Sequence, residues 1–365
     1  MYAPFGRLFL TRCCIMGLGM TVPLTCASVC ATERQSPTDG RVEHRGTYLA
    51  AAGDEREVLP LEVDNLVMDS PAGDNQPADI ARSQAKEPER VFTGPIDYVD
   101  GLIFAQALVN QAGTTMCLID TSSPRSAIHQ GLAAKLALEP VGETEVHAPG
   151  GRVKAPLVQL ESISLYGATA TDMKLTARNT KHRLVPEGAE LGLILGTDFL
   201  SSFIVRIDFE FQRIDFLSKS PACENWIPMP RVDGVPQCEI TLDGDFTTKL
   251  QLNTSVSMAR SRDVYLNLTQ ADERRLLQLR PGFEPAKVLS AVGPEGRIEI
   301  PVYQFGAMQM GDFVRADPFG TIYPAVEGMP PSEQMGFFTC NLLHKFPRVV
   351  LDFSGSRLGL NCKPD

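Results

Sequence analysis

From about Val91 to the C-terminus, apolar residues alternate with polar ones or run solidly over short stretches. Gly, Pro, Asn or Asp bounds nearly every run. That period and that punctuation predict many short β-strands. Two segments read differently. Ser126 to Leu138 places Ile128, Leu132 and Leu136 on one helical face, and Leu268 to Leu279 carries Thr269 and Asp272 spaced as a capping box. The chain before Val91 lacks this patterning. Residues 32–90 are polar, acidic and rich in Ala, Gly, Pro and Ser, with one short apolar patch from Val58 to Val67 that could dock on the body. They read as a disordered leader. Residues 1–31 hold Arg7 and Arg12, a mostly apolar run from Cys13 to Leu24, and small residues at Ala27, Ser28 and Ala31. This is the layout of a secretory signal peptide, cleaved after Ala27 or Ala31. The alternatives are an uncleaved anchor and a lipid attachment at Cys26 or Cys30.

The strand-rich part repeats itself. Gly113 to Ser122 aligns with Phe246 to Ser255, and both end on a Thr-Ser pair, as Asp120-Thr121-Ser122 and Asn253-Thr254-Ser255. Gly151 to Pro156 aligns with Gly296 to Pro301, Gly192 to Gly196 with Gly336 to Cys340, and Ile207-Asp208-Phe209 with Leu351-Asp352-Phe353. An Arg follows each Asp of the last pair five positions on, as Arg213 and Arg357. Arg152 to Gly196 spans 44 positions and Arg297 to Cys340 spans 43; Thr197 to Asp208 and Asn341 to Asp352 both span 11. Asp120 to Arg152 spans 32 against 44 for Asn253 to Arg297, so the second copy holds an insertion where the capped helix falls. Four blocks in one order imply an internal duplication. The predicted organisation is a first lobe over 91–220, a linker over 221–233 and a second lobe over 234–365.

Charge and cysteine content narrow the function classes. Lys and Arg number 34 against 44 Asp and Glu, a net charge of −10, which argues against a nucleic-acid partner. No apolar run of membrane-spanning length occurs beyond the first thirty positions, so the body is not an integral membrane protein once the signal is removed. Of nine cysteines, four fall in the signal and five remain, an odd number that leaves at least one free. Cys223, Cys238 and Cys362 are candidates for disulfides in an oxidising compartment, whereas Cys117 and Cys340 lie in apolar runs and read as buried thiols. The five histidines are scattered, and no spacing resembles a metal site; no cofactor is implied. Asp208 with Arg213 and Asp352 with Arg357 read as hairpin pairs, and Asp198 as the cap of a short helix.

The repeated unit resembles the aspartic peptidases, and among them the retropepsin-like proteins of bacteria. Cys117-Leu118-Ile119-Asp120-Thr121-Ser122-Ser123 is similar to the family's strand-to-turn active-site motif, and Leu193-Ile194-Leu195-Gly196 to its Leu-Gly strand beside the active-site loop. His147-Ala148-Pro149-Gly150-Gly151 lies where the family's substrate-covering flap falls, and Gly296 holds the matching place in the second copy. The resemblance spans roughly Val91 to Cys362. It implies an all-β fold with few short helices, an acid-protease-type closed barrel duplicated into two lobes. It also implies hydrolysis of peptide bonds by paired carboxylates that share a proton, one activating water and the other polarising the scissile carbonyl. The Thr after each acid bonds across to the other lobe in the family, so Thr121 and Thr254 take that role. Asp120 stands at the first acidic position and Asn253 at the second. Ser122 and Ser255 replace the family's Gly, and Cys340 replaces the second Leu-Gly glycine.

Three functions are compatible with this pattern: an exported, periplasmic or secreted aspartic endopeptidase working on peptides or proteins through Asp120; a pseudopeptidase that keeps the cleft to bind peptide or to act as a scaffold; and a structural envelope component. A homodimer through the first lobe would bring two copies of Asp120 together. A Ser-His-Asp arrangement has no motif to support it.

Overall fold

The computed structural model describes residues 92–148, 151–180, 185–186, 189–256, 265–293, 296–322 and 335–363. The expected signal, leader and Val58–Val67 patch lie outside these residues. The first half runs β1 (Phe92–Pro95), β2 (Asp97–Val99), β3 (Leu102–Val109), β4 (Gly113–Ile119), β5 (Ala127–His129), α1 (Gln130–Lys135), β6 (Pro140–Ala148), β7 (Gly151–Leu165), β8 (Ala168–Arg178), β9 (Leu191–Leu195), α2 (Thr197–Leu200), β10 (Ile204–Asp208) and β11 (Arg213–Leu217). The second half runs β12 (Cys223–Pro228), β13 (Arg231–Val232), β14 (Val235–Leu242), β15 (Phe246–Asn253), β16 (Tyr265–Leu268), α3 (Gln270–Leu279), β17 (Lys287–Gly293), β18 (Gly296–Gln304), β19 (Ala307–Met310), β20 (Phe313–Ala316), β21 (Phe319–Ile322), β22 (Phe337–Thr339), α4 (Cys340–Leu343), β23 (Arg348–Asp352) and β24 (Arg357–Cys362).

Each half builds its own barrel-like sheet, and the fold is all-β with few short helices. In the first, strands follow the order β2-β3-β4-β9-β5-β8-β7-β6, with β3 also pairing β7 and bending the sheet back on itself. In the second, β17-β18-β21-β16-β22-β15-β14-β19-β20 forms the main path. The strand leading to Asp120 pairs in parallel with the Leu-Gly strand, β4 with β9, and β15 pairs in parallel with β22 at the same repeat position. Parallel neighbours buried on both faces need solid apolar runs, which Leu118, Ile119, Leu193 and Leu195 supply at 2% exposure or less.

A third sheet joins the halves in the order β1-β11-β10-β23-β24-β12. At its centre β10 and β23 are antiparallel, with Arg206 opposite Val350, its own repeat counterpart. Each copy therefore meets the other across an approximate two-fold axis. The expected linker, 221–233, contains two strands. Cys223–Pro228 is an edge strand paired with β24, and Arg231–Val232 pairs with β14. It is ordered because Cys223 sits opposite Cys362 and forms a disulfide with it, while the Arg357 guanidinium stacks 4.1 Å above the Trp226 ring. Cys117, Cys238 and Cys340 are buried free thiols, so Cys238 is not a disulfide partner. Burial pushes Cys117 and Cys238 up to about 12, which leaves both unreactive.

The helices separate local from tertiary causes. α3 follows its pattern: Thr269 accepts the Asp272 N–H, and the Asp272 carboxylate accepts from the Thr269 N–H at 3.1 Å, closing the capping box. The segment from Ser126 to Leu138 does not form one helix. Ala127–His129 is drawn into the sheet between β8 and β9, and the helix shortens to six residues starting after His129, whose ring Nδ1 accepts the Gly131 N–H. Ala137, at φ +51°, ends that turn. Ile128 satisfies a helical and a strand period alike, and the sheet wins because it completes the backbone bonds of two neighbours.

Both hairpin pairs form, Arg213 to Asp208 at 3.5 Å and Arg357 to Asp352 at 2.9 Å. Burial raises the Asp352 carboxyl, but the Ser220 and Ser354 hydroxyls, the Gly355 N–H and Arg357 outweigh it and hold the group at about 2. A depressed carboxylate stabilises the fold above its unfolded value, near 3.9, and that contribution disappears as pH falls through its folded value. We predict that Asp352→Asn lowers the unfolding free energy by about 2 kcal/mol at pH 7 and flattens its decline between about pH 4 and pH 2, measured by urea titration across pH.

Candidate active site

Asp120 and Asn253 end β4 and β15, and the residues after them lock the two halves together. The Thr121 N–H donates to Thr254 Oγ1 at 3.0 Å. The Thr121 hydroxyl donates to the Leu252 carbonyl at 2.6 Å, and the Thr254 hydroxyl donates to the Ile119 carbonyl at 2.7 Å. Each hydroxyl thus reaches the residue two before the opposite Thr, and all of it is buried. The loops are held back to back within one chain, with Asp120 and Asn253 each one residue from the clamp. Leu252 and Thr254 therefore lie against the Asp120 loop of the same chain. We predict that Thr254→Val, which keeps the shape but strips partners from a buried N–H and a buried carbonyl, costs about 3 kcal/mol of stability. Denaturant unfolding measures it, and an unchanged midpoint would exclude a structural role for the clamp.

The head groups are oriented by the serines that replace glycine. Ser122 donates its backbone N–H (2.9 Å) and its hydroxyl (2.7 Å) to Asp120 Oδ1. Ser255 makes the same two bonds to Asn253 Oδ1, at 2.9 and 3.0 Å. Asp120 and Asn253 are 5% and 4% exposed, so both are fixed at the bottom of their loops.

Gly196 supports the Asp120 loop from below. A Cβ there would lie 2.5 Å from the Ser123 carbonyl oxygen and 3.1 Å from the Ser126 nitrogen, so only glycine lets the Leu-Gly strand approach. The Gly196 N–H donates to Ser126 Oγ at 3.0 Å, and the Thr197 N–H to the Ser123 carbonyl at 2.8 Å. Asp198 corrects its expected role. The N-cap of α2 is Gly196, and the Asp198 carboxylate instead accepts the Ser126 N–H at 2.9 Å and the Ser126 hydroxyl at 2.6 Å, bracing the active-site loop. Burial pushes this carboxyl up, opposed by the Ser126 and Phe199 donors. Nothing in one sequence marks a Ser–Asp contact 72 positions apart. In the second half Cys340 takes the glycine's place and is fully buried, and α4 is capped by the Thr339 hydroxyl.

The remaining expected residues lie in hairpins, apart from this bonded cluster. His147 pairs with Arg152 and Ala148 with Gly151 in β6–β7, and Gly150 lies outside the described residues. Gly296 faces Gly293 at the end of β17–β18. The structure thus has two long hairpins at equivalent repeat positions. Among the described residues no group of His, Cys, Asp or Glu could hold a metal ion, and no helix is long and apolar enough to cross a membrane. His129 caps α1, and His344 stacks on Tyr98.

The aspartyl protease family model matches residues 105–199. No curated protein matches the chain. Among solved structures, a retropepsin-like aspartic protease from Rickettsia conorii is similar at 20% identity, covering 35% of this chain and 94% of its own, with a TM-score of 0.28. The match takes in Asp120, Thr121, Ser122, Gly196 and the brace at Asp198, so the part of the chain that carries the Asp120 loop is similar to the aspartyl proteases over residues 105–199.

Proposed function

We propose that the protein is an exported aspartic-type endopeptidase that hydrolyses peptide bonds with water activated by Asp120. The observation that carries this reading is the buried Thr121–Thr254 clamp, which holds the Asp120 loop against its counterpart loop inside one chain. A structural barrel would have no need of a fixed, donor-loaded carboxylate at that junction. Export rests on the signal-like residues 1–31 and on the Cys223–Cys362 disulfide, which suits an oxidising periplasmic or extracellular compartment. The substrate is a peptide or protein segment admitted beneath the β6–β7 and β17–β18 hairpins.

Asn253 favours a second reading, a pseudopeptidase that binds peptide without cleaving it, because an amide cannot share a proton with Asp120. Digestion of a peptide library from pH 3 to pH 7 by wild type and by Asp120→Asn separates the two. Cleavage that depends on Asp120 supports the peptidase, and equal cleavage by both proteins sinks it.

A further inference from the structure

We propose that the Asn253 amide is the hydrogen-bond donor to the scissile carbonyl, so that hydrolysis at this site runs on a single carboxylate. This rests on the reading of Asp120 as the base. The orientation of Asn253 is dictated by its neighbour. A backbone N–H can only donate, so the Asn253 atom 2.9 Å from the Ser255 nitrogen must be the carbonyl oxygen Oδ1. The Ser255 hydroxyl reinforces it at 3.0 Å. Nδ2 and its two hydrogens are thereby turned away from Ser255. Across the clamp, Ser122 loads Asp120 Oδ1 with two donors in the same way, at 2.9 and 2.7 Å, and leaves Oδ2 as the atom that takes a proton. One copy of the repeat thus presents an acceptor and the other a donor, where a carboxylate pair would need a shared proton to make that difference.

The chemistry balances without a second acid. The water oxygen bonds to the scissile carbon as the carbonyl π pair moves onto its oxygen, and the water proton goes to Asp120 Oδ2. The Asn253 N–H bonds to the oxyanion and transfers nothing. The oxyanion then re-forms the carbonyl, the C–N bond breaks, and the proton on Asp120 passes to the leaving nitrogen. Asp120 is base and then acid, and it ends the cycle ionised as it began. Ser255 is a positioning residue that acts through Asn253.

The test compares wild type, Asn253→Ala, Asn253→Asp and Asp120→Asn of the full chain on one cleaved peptide, with kcat, KM and pH profile. Asn253→Ala should lower kcat by about 10²- to 10³-fold with little change in KM, the loss expected for one oxyanion donor. Asn253→Asp is accommodated by the same Ser255 bonds, as Asp120 is by Ser122. It introduces a pair that must hold one proton, so its activity should decline on the alkaline side where wild type persists. Wild-type kcat in Asn253→Ala, or superimposable pH profiles for wild type and Asn253→Asp, would overturn the proposal while Asp120→Asn still tests the base. Cleavage by Asn253→Asp but not by wild type would overturn it as well, by showing that the amide cannot replace the acid. Full activity in Asp120→Asn would instead remove the reading on which it rests.

Discussion

Asp120→Asn should lower hydrolysis by roughly 10³-fold, the scale of a lost general base, while its melting temperature stays close to that of wild type. The protein contains its own precedent for the second half of that statement. At the equivalent position an Asn accepts the Ser255 N–H and hydroxyl at 2.9 and 3.0 Å, as Asp120 accepts from Ser122 at 2.9 and 2.7 Å. An Asn at 120 can therefore keep both bonds, and the Thr121 clamp, built from backbone and threonine atoms, is untouched. Replacing a charged group by a neutral one of equal size at a site 5% exposed adds no desolvation cost. The variant thus separates chemistry from folding, which substitution by Ala would not. Peptide cleavage and a thermal melt on the same preparation measure both. A large drop in melting temperature would show that the carboxylate has a structural role that the repeat symmetry does not reveal.

The equivalence of positions 120 and 253 is visible in the residues themselves. Asp-Thr-Ser and Asn-Thr-Ser, each at the end of an apolar run, predict two equivalent strand ends, and the structure places them back to back. At Gly196 the structure supplies the reason for the glycine of the Leu-Gly block, since a Cβ there would lie 2.5 Å from the Ser123 carbonyl oxygen. Elsewhere local pattern was insufficient. Ala127–His129 carries a residue, Ile128, that suits a helix face and a strand equally, and only β8 and β9 decide between them. Cys223–Pro228 is short, flanked by Pro221 and Pro230, and looks like a connection until Cys362 and β24 supply its partner. The Ser126–Asp198 brace has no local signal, since its two members are far apart in sequence and each is an ordinary loop or helix-start residue. What one sequence conveys is repetition and period; which distant group completes a hydrogen bond is settled by packing.

Opening the Cys223–Cys362 disulfide should cost about 5 kcal/mol of stability. The bridge spans 139 positions and encloses the whole second half of the chain, from the edge strand that enters it to the strand that ends it. A cross-link removes more freedom from the unfolded chain the longer the loop it closes, which places this one near the upper end of the usual range. For a folded body of this size the loss corresponds to roughly 10 °C in melting temperature. The folded state is built around the bond as well. A Cβ at position 359 would lie 2.5 Å from Cys223 Sγ and 2.9 Å from Cys362 Sγ, so Gly359 is the residue that admits the bridge beside Trp226. The loss should also reach the candidate site. β24 lies beside β23, which pairs with β10 at the centre of the sheet joining the two halves, so a loosened edge weakens the frame that keeps Thr254 against Ile119. Thermal melts of wild type with and without dithiothreitol, and of Cys362→Ser, measure the effect. Because Cys117, Cys238 and Cys340 are buried free thiols, the reductant opens no other disulfide among the described residues. The expected result is a large and equal fall for the reduced protein and for the variant, accompanied by loss of peptide cleavage before global unfolding. Melting curves that coincide with and without reductant would show that strand pairing alone holds the second half in place.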